Sequence, residues 1–197
     1  MKLGYLLAAM IVSLASIAHA QDGPSYEETV RFLKEKLNTQ SSSARYRFIE
    51  LDRCIFRASI ESNFSNWDLS TTNLSGLSRF SQSDIFRIYN SEFNLENADL
   101  SRITSSLEFF ASVTIYPRPE ATGVSEYTTF VRPDIARRAG MIGSDATCDN
   151  SYCYSRPFTS RVFQLRGIPS PVHDNTPRVE RAIRHLIQLC GGRGQLF

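Results

Sequence analysis

Lysine is scarce in this chain of 197 residues: only Lys2, Lys34 and Lys36 occur, so 19 of its 22 basic residues are arginine. Guanidinium groups are planar forks suited to carboxylate or phosphate, and they stay charged at any workable pH. Histidine is scarcer still, with His173 and His185 the only ones after residue 20. Neither belongs to a His-Glu-x-x-His zinc motif. No Gly-x-Ser-x-Gly elbow, phosphate-cradling glycine loop or Asp-x-Asp-x-Asp-Gly calcium loop occurs, so the familiar hydrolase, nucleotide and EF-hand signatures are missing. Proline is absent between Ser25 and Tyr116, whereas seven of the eight prolines lie from Pro117 to Pro177. Long apolar runs are missing after the first 20 residues, so no transmembrane span is expected in the remainder. With 20 acidic residues nearly balancing the basic ones, the formal net charge is only +2. That is far from the dense basic footprint of a nucleic-acid binder, and no nucleic-acid partner is expected.

Residues 1–20 read as a secretion signal, with Lys2 as the positive start and an apolar core at 6–17. Ala18-His19-Ala20 then supplies a small-x-small cleavage site. The rest, 21–197, is long enough for one domain with a sizeable core. Its charge is uneven: 21–117 carries a net −3 and 118–197 a net +4. Four cysteines follow the leader: Cys54, Cys148, Cys153 and Cys190. An exported chain meets an oxidising compartment, where an even count favours disulfides. Three pairings are open. The turn-forming Asp149-Asn150-Ser151 favours Cys148–Cys153, which leaves Cys54 for Cys190. A spacing of Cys-x4-Cys does not match a zinc knuckle, and neither a metal nor a cofactor is expected.

Two helices stand out. Ser25 reads as an N-cap with Glu28 completing a capping box, and Tyr26, Val30, Leu33 and Leu37 then recur at helical spacing. A second helix begins at Thr176-Pro177, carries Val179, Ile183, Leu186, Ile187 and Cys190 as its buried stripe, and stops at Gly191-Gly192. Strands are predicted at 46–51, 54–60, 67–74, 86–93, 107–116, 126–132 and 161–166. Residues 99–106 read as either strand or helical turn. The proline-bearing stretches 117–125, 133–156 and 167–175 read as the longer loops. Together these indicate an α+β fold, an antiparallel sheet or partly open barrel packed by an N-terminal and a C-terminal amphipathic helix.

The stretches Ser25-Tyr26-Glu27-Glu28-Thr29-Val30-Arg31-Phe32-Leu33 and Arg178-Val179-Glu180-Arg181-Ala182-Ile183-Arg184-His185-Leu186-Ile187 cover about a tenth of the chain. In this order of helix, antiparallel strands and closing amphipathic helix, the chain resembles small exported bacterial proteins of unknown function with a pleckstrin-homology-like barrel. The resemblance implies a binding or scaffolding role.

Candidate binding residues are arginines. Arg178, Arg181 and Arg184 lie opposite the buried stripe of the last helix, placed to meet anionic lipid or an acidic protein. The alternative is a solvated face with a Glu180–Arg184 pair. Arg137 and Arg138, flanked by Ile135, Met141 and Ile142, read as a recognition loop or as a short helix packed on the sheet. The expectation is an exported, non-catalytic binding or scaffolding module, its partner a protein or an anionic envelope component. A hydrolase using a loop site at His173 and Asp174, and a secreted enzyme inhibitor presenting a proline-bounded loop, are the alternatives.

Overall fold

The computed structural model describes residues 23–40, 44–63, 86–106, 111–131, 133–138, 142–143, 146–149, 152–166 and 175–192. The first element, helix α1 (Tyr26–Leu37), starts where local chemistry dictates. The Ser25 hydroxyl accepts from the Glu28 amide at 3.2 Å, while the Glu28 carboxylate accepts from the Ser25 amide at 2.9 Å. Two otherwise orphaned donors are thereby satisfied at the helix start. Tyr26, Val30, Leu33 and Leu37 form its buried face.

Strands β1 (Thr39–Gln40), β2 (Ala44–Asp52), β3 (Ile55–Asn63) and β4 (Phe86–Asn94) follow. A single 3-10 turn at Leu95–Asn97 leads into β5 (Ala98–Ser106) and β6 (Ser112–Pro117). The remaining elements are β7 (Val124–Val131), helix α2 (Pro133–Arg138), β8 (Thr147–Cys148), β9 (Tyr152–Tyr154), β10 (Phe158–Ser160), β11 (Phe163–Leu165) and helix α3 (Asn175–Leu189).

The strands make two antiparallel sheets and no closed barrel among the described residues. The larger runs β1-β2-β3-β4-β7-β9-β8, with β10 also paired to β7, and the smaller runs β11-β6-β5. One face of the large sheet supplies Phe48, Phe56 and Phe93 to the core, where the Phe48 and Phe56 rings stack at 4.7 Å. Phe163 of the small sheet meets Phe93 at 5.7 Å, and Leu33, Ile183, Leu186 and Ile187 close the core from the helices. Each such side chain contributes roughly 1.5–3 kcal/mol by burial.

Several expectations change. The ambiguous stretch 99–106 is strand, within β5. Of the strand expected at 107–116, residues 107–110 lie outside the described residues and the rest falls in Ser112–Pro117; that at 161–166 shortens to Phe163–Leu165, and that expected at 67–74 lies outside the described residues. The loop expected over 133–156 contains α2 and the β8–β9 hairpin. Thr176 is not the residue before α3 but its second residue, and it is buried.

Both cysteine pairs are disulfides. Cys148 and Cys153 are cross-strand partners, 4.1 Å apart at Cα, and the Asp149 carboxylate accepts from the Tyr152 amide at 2.6 Å to hold the hairpin turn. Cys54 and Cys190, 5.7 Å apart at Cα, tie the β2–β3 turn to the end of α3. Cys54 takes a left-handed φ of +64°, uncommon for any residue but glycine. Its surroundings enforce that conformation: the amide donates to the Tyr26 hydroxyl at 3.0 Å and the carbonyl accepts from the Leu95 amide at 2.8 Å. No helix among the described residues is long and apolar enough to cross a membrane.

Candidate functional site

Side chains alternate across a strand, so the strand positions between the core phenylalanines point to the other face of the large sheet. There the register sets Arg57 opposite Glu92, Ser59 opposite Asn90, Asn90 opposite Tyr127, and Thr129 opposite Tyr154. Arg47 and Ile49 of β2 face Ser59 and Arg57 on the same side. Five strands, β2, β3, β4, β7 and β9, therefore present arginine, tyrosine, amide and hydroxyl groups on one surface.

The centre of this face is a closed network. Arg57 donates to Glu92 Oε1 through Nε at 2.8 Å and lies 2.6 Å from it through Nη2. The Tyr127 hydroxyl donates to the same oxygen at 2.6 Å, and the Arg57 guanidinium stands 5.8 Å from the Tyr127 ring centroid. Burial first, then the hydrogen bond to the Glu92 carboxylate, pushes the Tyr127 phenol up to about 12. Glu92 is thus neutralised by a guanidinium and Tyr127 keeps its proton throughout the physiological range. The Tyr127 phenol is therefore poorly poised to exchange protons near neutrality.

Beside it, Ser59, Asn90 and Thr129 are buried. The Ser59 hydroxyl donates to Asn90 Oδ1 at 2.9 Å, and Asn90 Nδ2 donates to Thr129 Oγ1 at 3.0 Å and to the Ile88 carbonyl at 3.2 Å. A satisfied polar row spanning β3, β4 and β7 fixes the strands beneath the exposed groups. At the far edge, Tyr152 is 40% exposed, and the Tyr154 hydroxyl reaches Asp149 Oδ2 at 3.3 Å.

The arginines singled out in the sequence do not converge. Arg184 turns inward: Nη1 donates to the Leu100 carbonyl at 2.6 Å, Nη2 to the Ile103 carbonyl at 2.8 Å, and Nε to Glu180 at 2.9 Å. Its partners lie where the β5–β6 register shifts between Ala98 and Ile103, so the guanidinium supplies donors that the ladder lacks. Burial works against the Glu180 charge, but hydrogen bonds from Ser105 and Arg184 and the charges of Arg184 and Arg181 hold its carboxyl below the ordinary glutamate value. Arg178 is exposed and stands 5.7 Å from the Phe32 ring centroid on α1; Arg181 is exposed. Arg137 is exposed on α2 with Nη2 3.5 Å from Cys153 Sγ, and Arg138 ends that helix. His173 and Asp174 lie outside the described residues. His185 is spaced 2.7 Å from the Pro24 carbonyl through Nε2, joining α3 to the residues before α1. No group of three or more His, Cys, Asp or Glu side chains is arranged to hold a metal among the described residues.

The sequence alone does not join Arg57, Glu92 and Tyr127, because they meet across strands 35 residues apart. The signal available was the polar alternation of Arg57, Ser59 and Glu61, repeated by Asn90 and Glu92. No family model, curated protein or solved structure matches the chain.

Proposed function

We propose that this chain is an exported, non-catalytic binding module that recognises a protein through the outer face of its large sheet. The observation that carries this reading is the Arg57–Glu92–Tyr127 network on its bed of Ser59, Asn90 and Thr129. Arginine and tyrosine are the side chains over-represented among the energetic anchors of interfaces. Here they are held by hydrogen bonds before any partner arrives, which lowers the ordering cost of association. The resemblance to pleckstrin-homology-like exported proteins favours the same role. Two disulfides and the leader-like residues 1–20 favour work in the periplasm or outside the cell.

The test is quantitative capture from envelope and culture-medium fractions, comparing the protein with an Arg57→Ala/Tyr152→Ala variant of unchanged circular dichroism. A saturable protein partner should bind the variant at least about thirtyfold more weakly, the loss of one 2 kcal/mol anchor. Equal capture by the variant, or no saturable partner, overturns the proposal.

A further inference from the structure

The two disulfides sit in opposite settings. Cys54 and Cys190 are 3% and 7% exposed and join residues 136 apart. Cys148 and Cys153 are only 5 apart, so their bridge constrains the unfolded chain far less. The two sulfurs of the short bridge also differ. Cys148 is half-buried on the edge strand β8, whereas Cys153 is fully buried on β9, between β8 and β7. From α2, the Arg137 guanidinium donates to Cys153 Sγ through Nη2 at 3.5 Å.

Thiol–disulfide exchange proceeds by attack of a thiolate on one sulfur, and the other sulfur leaves with the electron pair. Exposure selects Cys148 Sγ as the sulfur attacked. Departure falls to Cys153 Sγ, where a guanidinium stabilises the thiolate that forms. A more stable thiolate leaves faster. The neighbouring Asp149 carboxylate is engaged by the Tyr152 amide at 2.6 Å and the Tyr154 hydroxyl at 3.3 Å. Main-chain pairing of β9 with β7 and β8 holds the two cysteines opposite each other while the bridge is open, so it can close again.

We propose that Cys148–Cys153 is a thiol-exchange site whose substrate is a dithiol reductant, with Cys148 attacked and Cys153 leaving beside Arg137. One thiolate of the dithiol bonds to Cys148 Sγ as the Cys148–Cys153 bond breaks, and the electron pair stays on Cys153. The second thiolate then attacks its own partner sulfur, which releases Cys148 and leaves the reductant as a disulfide. Two electrons pass from the dithiol to the bridge, and its two protons go to the released sulfurs or to solvent. The exchange is stoichiometric and independent of recognition at the sheet face.

The purified, oxidised protein tests this with dithiothreitol and glutathione as probes, read by acid quench, alkylation and peptide mass spectrometry. In dithiothreitol, Cys148 and Cys153 should be alkylated at least about tenfold sooner than Cys54 and Cys190. Glutathione, a monothiol, should be trapped as a mixed disulfide on Cys148. Neither of these readouts needs a variant. Arg137→Gln should slow opening of the short bridge roughly three- to tenfold, and Arg137→Lys should restore most of that rate. The Cys54–Cys190 bridge should open as in the parent in both, which checks that the fold is intact. Equal rates for the two bridges, glutathione on Cys153, or an Arg137→Gln rate equal to the parent's overturns the proposal.

Discussion

Replacing Cys54 and Cys190 together by alanine removes a cross-link between residues 136 apart in sequence. On the chain-entropy model a loop of that length stabilises the fold by about 5 kcal/mol. The Cys148–Cys153 bridge spans only 5 residues, and the same relation gives about 2 kcal/mol. For a domain of this size each kcal/mol moves the melting temperature by roughly 2–4 °C. The first double variant should therefore melt about 10–20 °C below the parent, and the Cys148→Ala/Cys153→Ala variant about 4–8 °C below. The left-handed backbone at Cys54 adds a finer check. Alanine there keeps a penalty of about 1–2 kcal/mol, which glycine escapes while losing about 0.5–1 kcal/mol in unfolded-state entropy. Cys54→Gly/Cys190→Ala should thus be more stable than its alanine counterpart by roughly 0.5–1 kcal/mol. Calorimetry with near-ultraviolet circular dichroism on the non-reduced proteins reads both differences. Long-bridge and short-bridge variants melting within a few degrees of each other would refute the loop argument; equal stability of the alanine and glycine forms would refute the backbone argument.

Arg184→Ala should cost about 2 kcal/mol in urea unfolding, because the Leu100 and Ile103 carbonyls lose a charged donor at a half-exposed position, and a cost under about 0.5 kcal/mol would exclude its role as a strut. Asn90→Ala should destabilise by about 1–3 kcal/mol through loss of the hydrogen bonds to Ser59 and Thr129, measured by thermal melting. In a spectrophotometric titration Tyr127 should ionise only as pH approaches about 12. Its raised folded value means that the folded state keeps a proton the unfolded chain has already lost, so this contribution to stability is present below pH 10 and disappears as pH rises towards about 12. Glu92→Gln should lower the Tyr127 value while leaving it above 10, since burial is the larger cause; an unchanged titration would contradict the network.

What was legible in the sequence was what neighbouring residues decide among themselves. The α1 start needs only Ser25 and Glu28, and the β8–β9 turn needs only Asp149 between two close cysteines. Residues 99–106 read ambiguously because their irregular strand is completed from 81–84 residues away, by Arg184. That same long-range demand converts Arg184 from an apparent surface charge into a half-exposed strut between α3 and β5. The prolines that suggest a loop over 133–156 mark where the chain cannot run straight, and they leave room for short elements such as α2. The sheet face was least legible: arginine, glutamate and tyrosine on separate strands look like solvated surface until the register sets Arg57 against Glu92 and brings Tyr127 alongside.

The most direct measurement is hydroxyl-radical footprinting by mass spectrometry, on the free protein and on its complex with the captured partner. The account predicts that Tyr152, 40% exposed when free, loses its reactivity in the complex together with Tyr154, while Phe32 and Arg178 on the helical side react as before. Protection of the α1–α3 surface with undiminished labelling of Tyr152 and Tyr154 would contradict it.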